Sequence, residues 1–300
     1  MYAIVGASGN TGSTIAGKLL ASGKKVRVIG RDPARLEGLV QKGAEAFVAN
    51  ADNAAALTQA FAGTKAVYLM IPPSPAHPDV RGEQERVSDA ALAAVEDAGV
   101  EYAVVLSSIG ADKPDKTGPV VGLHNLEQKL NGARALKAVY LRAGYFMENL
   151  LPQAGIIKSF GVMGGPLRGD LKVGMIATQD IGAWAAEALL KLDFTGKQAR
   201  ELLGQRDLDY REAAAVIGNA VGKPGLSYVQ FPPAQLKPAL QQIGMSANMA
   251  DLLLEMSDAL NSGYMAPLET RSVKNTTPTS LETFVAQAFV PRFTGKNGSA

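Results

Sequence analysis

The run Tyr2-Ala3-Ile4-Val5-Gly6-Ala7-Ser8-Gly9-Asn10-Thr11-Gly12 narrows the fold more than any other stretch of the chain. Tyr2 to Val5 reads as a short buried strand. Three glycines follow without a gap, and then Ile15, Ala16, Leu19 and Leu20 recur at helical spacing. Strand, glycine turn and helix in immediate succession are the context a dinucleotide-binding fingerprint requires. In that geometry Gly6 permits the tight turn, Gly9 lets backbone amides approach a diphosphate, and Gly12 lets the helix pack closely. A diphosphate then sits among the unpaired N–H groups at the positive end of the helix. A chain with 32 glycines produces triplets by chance, and G-x-x-G-x-x-G is not the standard G-x-G-x-x-G spacing. It is the position, straight off a strand and into an amphipathic helix, that assigns Gly6, Ser8, Gly9, Asn10, Thr11 and Gly12 to a cofactor.

The rhythm continues. Val26–Ile29, Ala46–Ala49, Ala66–Ile71, Tyr102–Leu106 and Ala138–Leu141 read as further strands, alternating with helical segments that begin at Asp32-Pro33, at Asp52 or Asn53, near Gln84 and near Leu123. Six strands separated by helices predict an α/β, Rossmann-type, doubly wound parallel sheet. Its ligand crevice lies at the C-terminal ends of the strands. Beyond residue 145 the alternation decays. Residues 151–172 are glycine-rich and irregular, Asp180–Leu192 is a clear helix, and prolines break the remainder into short pieces. The expected organisation is a dinucleotide-binding domain over residues 1–148, with 173–193 packing back onto it, and a smaller, irregular substrate-side domain over 149–300. The helix over 245–260 is read as core packing or as a lid over the crevice. The tail Gly295 to Ala300 is expected to be disordered.

Bulk properties remove several classes of function. The 30 basic and 28 acidic residues leave a net charge of +2, no electrostatic footprint for direct nucleic-acid binding. No cysteine is present and only two histidines, His77 and His124, which excludes thiol chemistry and His-rich or thiolate metal sites. No apolar run reaches the ~18 residues of a spanning helix, and a strand starting at residue 2 leaves no room for a signal peptide. The expectation is a cytoplasmic protein without membrane attachment.

The second strand and its sequel, Val26-Arg27-Val28-Ile29-Gly30-Arg31-Asp32-Pro33, bear on which nucleotide is taken. An NAD-preferring site places an acid here for the ribose hydroxyls. Arg31 falls where a 2′-phosphate would lie, with Arg35 one helical turn on. Asp32 is the rival ribose acid, but Pro33 behind it makes Asp32 the natural helix cap. NADP(H) is therefore expected. Asp52 is read as an adenine partner or a cap.

These residues, with Leu106-Ser107-Ser108, Leu141-Arg142-Ala143-Gly144-Tyr145-Phe146-Met147-Glu148-Asn149, Ile176-Ala177-Thr178-Gln179-Asp180-Ile181 and Pro278-Thr279-Ser280-Leu281-Glu282-Thr283-Phe284, resemble the NmrA-like family, atypical short-chain dehydrogenase/reductases. The resemblance implies one of two functions. Some members look like NADPH-dependent reductases of quinones or related carbonyls; others bind NADP without turnover and act as redox-sensing regulators through a protein partner. The Tyr-x-x-x-Lys pair of typical short-chain dehydrogenases is absent, since Leu123-His124-Asn125-Leu126-Glu127-Gln128-Lys129 places His124 near the tyrosine position and Gln128 near the lysine position. His124 is then the candidate proton donor, because histidine titrates near neutral pH. Ile71 and Pro72 are expected to wall the nucleotide, with Ser107 facing the nicotinamide. Tyr145, Phe146 and Asn149 are assigned to a flat substrate, the aromatic faces for stacking and the amide for a carbonyl. The expected function is hydride transfer from NADPH to a small quinone or related carbonyl, with a non-catalytic NADP(H) sensor as the alternative. A homodimer or a regulatory partner stays open.

Overall fold

The computed structural model describes residues 1–295, so most of the tail expected to be disordered, residues 296–300, lies outside the described residues. The chain runs β1 (Tyr2–Val5), α1 (Asn10–Ala21), β2 (Val26–Gly30), a 3-10 turn over Pro33–Leu36 that continues into α2 (Glu37–Val40), β3 (Glu45–Val48), α3 (Ala54–Phe61), β4 (Ala66–Leu69), α4 (Val80–Asp97), β5 (Tyr102–Ser108), α5 (Val120–Gly132) and β6 (Lys137–Ala143). It continues through β7 (Tyr145–Phe146), α6 (Gln153–Phe160), β8 (Met163–Gly165), β9 (Val173–Ile176), α7 (Thr178–Lys191), β10 (Lys197–Leu202), β11 (Asp207–Leu208), α8 (Tyr210–Ala220), β12 (Tyr228–Gln230), α9 (Pro233–Gln242), α10 (Ala247–Ser262) and α11 (Leu281–Phe284).

Seven strands form one parallel sheet in the order β10-β6-β5-β4-β1-β2-β3. The order reverses between β1 and β4, which opens a crevice beyond their C-terminal ends. Both faces are covered. Ile4, Val28, Tyr68, Val104, Val139 and Leu141 bury one face under α1 and α7. Ala3, Val5, Val67, Leu69, Val105 and Tyr140 bury the other under α3, α4 and α5. Strands buried on both sides read as continuous apolar runs, which is why β1, β4 and β5 are legible in the sequence.

The seventh strand, Lys197-Gln-Ala-Arg-Glu-Leu202, was not expected. It is an edge strand, with Ala199 and Arg200 exposed, so its polar sequence carries no buried-strand signal. The Lys197 ammonium donates to the carbonyls of Ala133 and Leu136, and burial pulls its pKa below the usual lysine value. The region from Tyr145 onward builds its own core from Met147, Ile157, Met163, Met175, Tyr210, Ile217, Phe284 and Phe289. Within 151–172, expected to be irregular, Gln153–Phe160 is helical and Met163–Gly165 pairs with β12. A late strap returns to the sheet edge: the buried Glu201 carboxylate accepts the Leu268 and Glu269 amides at 2.8 Å each, and Leu203 donates to the Asn275 carbonyl at 2.8 Å.

Buried tyrosines make the fold sensitive to alkali. Burial raises the pKa of Tyr68, Tyr140, Tyr210 and Tyr228 above the ordinary 10.0. The unfolded chain releases these protons near pH 10 while the folded chain holds them, so stability is intact below pH 10 and falls as pH rises above it, by about 1.4 kcal/mol per pH unit per tyrosine. Urea midpoints measured from pH 9 to 11.5 are expected to fall, and Tyr68→Phe is expected to flatten the decline; identical slopes for the two chains would contradict the assignment.

Candidate dinucleotide site

The glycine turn joins β1 to α1 at the β1/β4 reversal. Gly6 adopts φ +67°, a conformation that disfavours side chains, and a Cβ there would lie 2.8 Å from the Met70 sulfur. Gly9 is the helix N-cap, and its amide donates back to the Gly6 carbonyl at 3.0 Å. A Cβ on Gly12 would lie 2.4 Å from the Gly6 carbonyl oxygen and 2.9 Å from Ala7 Cα, so the helix rests directly on the turn. The first intrahelical bond runs from the Ser13 amide to the Gly9 carbonyl. The amides of Asn10, Thr11 and Gly12 therefore point out of the helix end into the crevice. Two contacts hold that end in place. The buried Tyr68 hydroxyl on β4 donates to Thr11 Oγ1 at 3.0 Å, and Gly182 of α7 lets Thr14 and the Thr11 carbonyl approach within 3 Å of where its Cβ would be.

Beside the turn lies a cleft of about 160 Å³, lined by Arg31, Asn50, Ala51, Asp52, Pro72, Pro73, Ser74, Glu83 and Val87. It brings together Arg31, Asp52 and Pro72 from the expected cofactor set. Ile71 precedes Pro72 in the same loop and is half-buried against the sheet. Asp32 is the cap: its side chain accepts the Ala34 amide at 3.0 Å, and Pro33 follows. Arg35 reaches back to the Ser8 carbonyl at 3.4 Å, which places a second guanidinium beside the turn. Asn53, not Asp52, caps α3, accepting the Ala56 amide at 3.0 Å, so the Asp52 carboxylate is available to the cleft. Asn50, Ser74, Glu83 and Val87 were not anticipated. Their signal is topological, because they follow the third and fourth strands at the reversal point. A larger cavity, about 380 Å³ between the ends of α4 and α5, is lined by Val95, Glu96, Arg134 and Leu136 at the opposite end of the sheet, where β5 and β6 begin, and contains none of these residues.

Two expectations are corrected. Ser107 falls on the α5 face of β5, as Ala103 and Val105 do, and its hydroxyl donates to Glu127 Oε1 at 2.6 Å instead of facing the nicotinamide. Glu127 is 2% exposed and takes both nitrogens of the Arg142 fork, at 3.1 and 2.6 Å. Tyr145 turns into the C-terminal core, edge-on to Tyr210 with ring centroids 5.7 Å apart; burial pushes its pKa up, and Tyr210 stacks in turn on Tyr228. Its ring is a packing element and not an open stacking face. Lys129 is tied to Glu85 at 2.6 Å and to Asp89 on α4, away from the turn.

Phe146 points to the opposite side from Tyr145, partly buried against the α1/α7 core, and Asn149 is exposed on a single 3-10 turn. His124 Nδ1 lies 2.9 Å from the Ala111 carbonyl. A carbonyl only accepts, so Nδ1 carries the proton, and the neutral ring then has Nε2 as its basic atom. The helix over 245–260 takes the packing role. Met249 and Leu252 are buried against Val80, while Asn248 accepts the Val80 amide at 2.9 Å, and Glu255 accepts the Gly118 amide at 3.2 Å and binds Arg81 at 2.9 Å. α10 thereby bridges the start of α4 and the loop after β5. Among the described residues no group of three metal-ligating side chains converges, and no helix is long and apolar enough to cross a membrane.

Residues 2–285 match the NmrA-like family. The chain belongs to the NmrA-like family. Within it, this NmrA-like chain is 31% identical over 224 residues, 75% of either protein, to a (4-alkanoyl-5-oxo-2,5-dihydrofuran-3-yl)methyl phosphate reductase of Streptomyces griseus. It is 29% identical over 269 residues, 88% of this chain and 89% of the relative, to quinone oxidoreductase 2 of Escherichia coli. Among solved structures, an NADPH-dependent quinone oxidoreductase from Escherichia coli, complexed with NADPH, superposes with a TM-score of 0.79 at 26% identity, covering 95% of this chain and 99% of that one.

Proposed function

We propose that this protein is an NADPH-dependent oxidoreductase that passes hydride to a small quinone or related carbonyl. The observation that carries the reading is the close-packed glycine turn at the β1/β4 reversal, where a Cβ on Gly12 would lie only 2.4 Å from the Gly6 carbonyl oxygen, with Arg31 in the adjoining cleft. Such a turn has no room for a side chain at Gly12. Support comes from the reductase names of the relatives and from the likeness to an NADPH complex.

In this reading the amides of Asn10, Thr11 and Gly12, with Ser8, hold the diphosphate, Pro72 and Ile71 form a wall, and Arg31 with Arg35 takes the 2′-phosphate. Bound reduced nicotinamide supplies a hydride to the substrate carbonyl or quinone. The protein contributes position and the exclusion of water. The reduced oxygen then takes a proton from water or from His124. Because Ala111 fixes the Nδ1 proton, donation from Nε2 requires the imidazolium form. Phe146 and Asn149 remain the proposed substrate contacts. The dinucleotide-binding part is residues 1–148 with 173–193, and the rest of 149–300 covers the substrate side.

Purified protein, NADPH and a panel of quinones test this at the NADPH absorbance. Oxidation of NADPH by at least one quinone is expected. Tight NADPH binding with no oxidation across the panel would favour a sensor. A charge-assisted hydrogen bond contributes about 1.5–3 kcal/mol, so Arg31→Ala is expected to weaken NADPH binding roughly 10- to 100-fold and NADH binding little. Equal losses would reject Arg31 as the 2′-phosphate ligand.

A further inference from the structure

The cleft that contains Arg31 also contains a carboxylate held from behind. Glu83 lies in the first turn of α4, its side chain 24% exposed, and its Oε2 accepts Arg86 Nη2 at 2.6 Å. His77 Nδ1 accepts the Asp79 amide at 3.0 Å, and its Nε2 lies 3.5 Å from Arg86 Nη2 and 3.9 Å from the same Glu83 oxygen. A carboxylate only accepts hydrogen bonds. Among the described residues no donor is directed at Oε1. At about 160 Å³ the cleft is smaller than a whole-ligand pocket, and it suits one planar ring system, with Pro72, Pro73 and Val87 supplying apolar walls.

We propose that Glu83 reads the adenine base of the dinucleotide, its free oxygen accepting the exocyclic amine. This rests on the NADPH reading above and goes beyond it by naming the group that selects the base. Adenine offers an amine donor at C6 and hypoxanthine offers a carbonyl at the same place, so a carboxylate attracts the first and repels the second. Arg31 and Glu83 then divide the adenosine end between them, one taking the phosphate and the other the base. Asp52, from the opposite wall of the cleft, is the competing acceptor.

The test compares the affinities of NADPH and its hypoxanthine analogue for the intact chain by titration calorimetry. The wild type is expected to prefer NADPH at least roughly tenfold, the cost of facing an acceptor with an acceptor. Glu83→Gln, whose amide donates to a carbonyl while Arg86 keeps its partner oxygen, is expected to bring the ratio to one or below. Asp52→Asn is expected to leave the wild-type ratio in place. Equal affinities in the wild type would overturn the proposal, and that measurement needs no variant. A Glu83→Gln ratio unchanged from wild type, or a ratio abolished by Asp52→Asn alone, would overturn it as well. Failure of the wild type to bind either dinucleotide would instead reject the underlying NADPH reading.

Discussion

Arg142→Ala is expected to cost the fold about 3–5 kcal/mol, because it strands the Glu127 carboxylate without its counter-charge. The Glu127 side chain is 3% exposed and that of Arg142 13%, so water cannot replace the lost partner. Truncation on the other side, Glu127→Ala, strands both the guanidinium and the Ser107 hydroxyl, and a similar loss is expected. Ser107→Ala removes one hydrogen bond to a charged group and is expected to cost about 1.5–3 kcal/mol. Replacing Arg142 and Glu127 together with apolar residues of similar volume is expected to restore much of the loss, since the desolvation of both charges disappears with them. Urea unfolding of the four chains decides the matter. A loss under ~1 kcal/mol for Arg142→Ala would place the pair among weak surface bridges.

Gly12→Val is expected to abolish dinucleotide binding. The new side chain meets the Gly6 carbonyl oxygen at 2.4 Å and Ala7 Cα at 2.9 Å, both backbone, so neither moves aside as a flexible side chain would. Either α1 lifts off the turn or the turn deforms. In both cases the amides of Asn10, Thr11 and Gly12 lose their common focus. Loss of two charge-assisted hydrogen bonds corresponds to about 3–6 kcal/mol, roughly a hundredfold or more in affinity. Gly17 of the same helix supplies the control. A Cβ there meets nothing within 4 Å, so Gly17→Ala is expected to leave binding intact and to stabilise α1 by about 0.5–1 kcal/mol. Retained NADPH affinity in Gly12→Val would show that the diphosphate lies elsewhere.

The parts legible in the sequence are those whose cause is local. β1, the glycine turn and α1 lie within twenty residues, and every residue type there is explained by its neighbours. Asp32 is recognised as a cap because Pro33 follows it, and the structure puts its carboxylate on the Ala34 amide. The Ser107 assignment failed because strand position alone does not say which face a side chain takes. Its partner Glu127 stands twenty residues away on α5, and Arg142 a further fifteen on β6. Tyr145 failed for a related reason. Its aromatic ring suits a pocket and a core equally, and Tyr210, sixty-five residues on, supplies the core. The seventh strand and the strap over 265–280 are set by long-range pairing at an exposed edge, where hydropathy carries no pattern. The motif Pro278-Thr279-Ser280 becomes intelligible only in three dimensions. The Thr279 amide and hydroxyl both donate to the buried Asp180 carboxylate, at 2.9 and 2.7 Å, fastening the strap to α7, while Ser280 caps α11.

In the proposed function the amides at the start of α1 grip a diphosphate and a guanidinium chooses the phosphorylated adenosine. Calorimetric titration of the wild-type chain with NADPH and, separately, with NADH tests it most directly. One NADPH per chain, bound at least roughly tenfold more tightly than NADH, is the predicted result. No heat of association with either dinucleotide at millimolar concentration would contradict it.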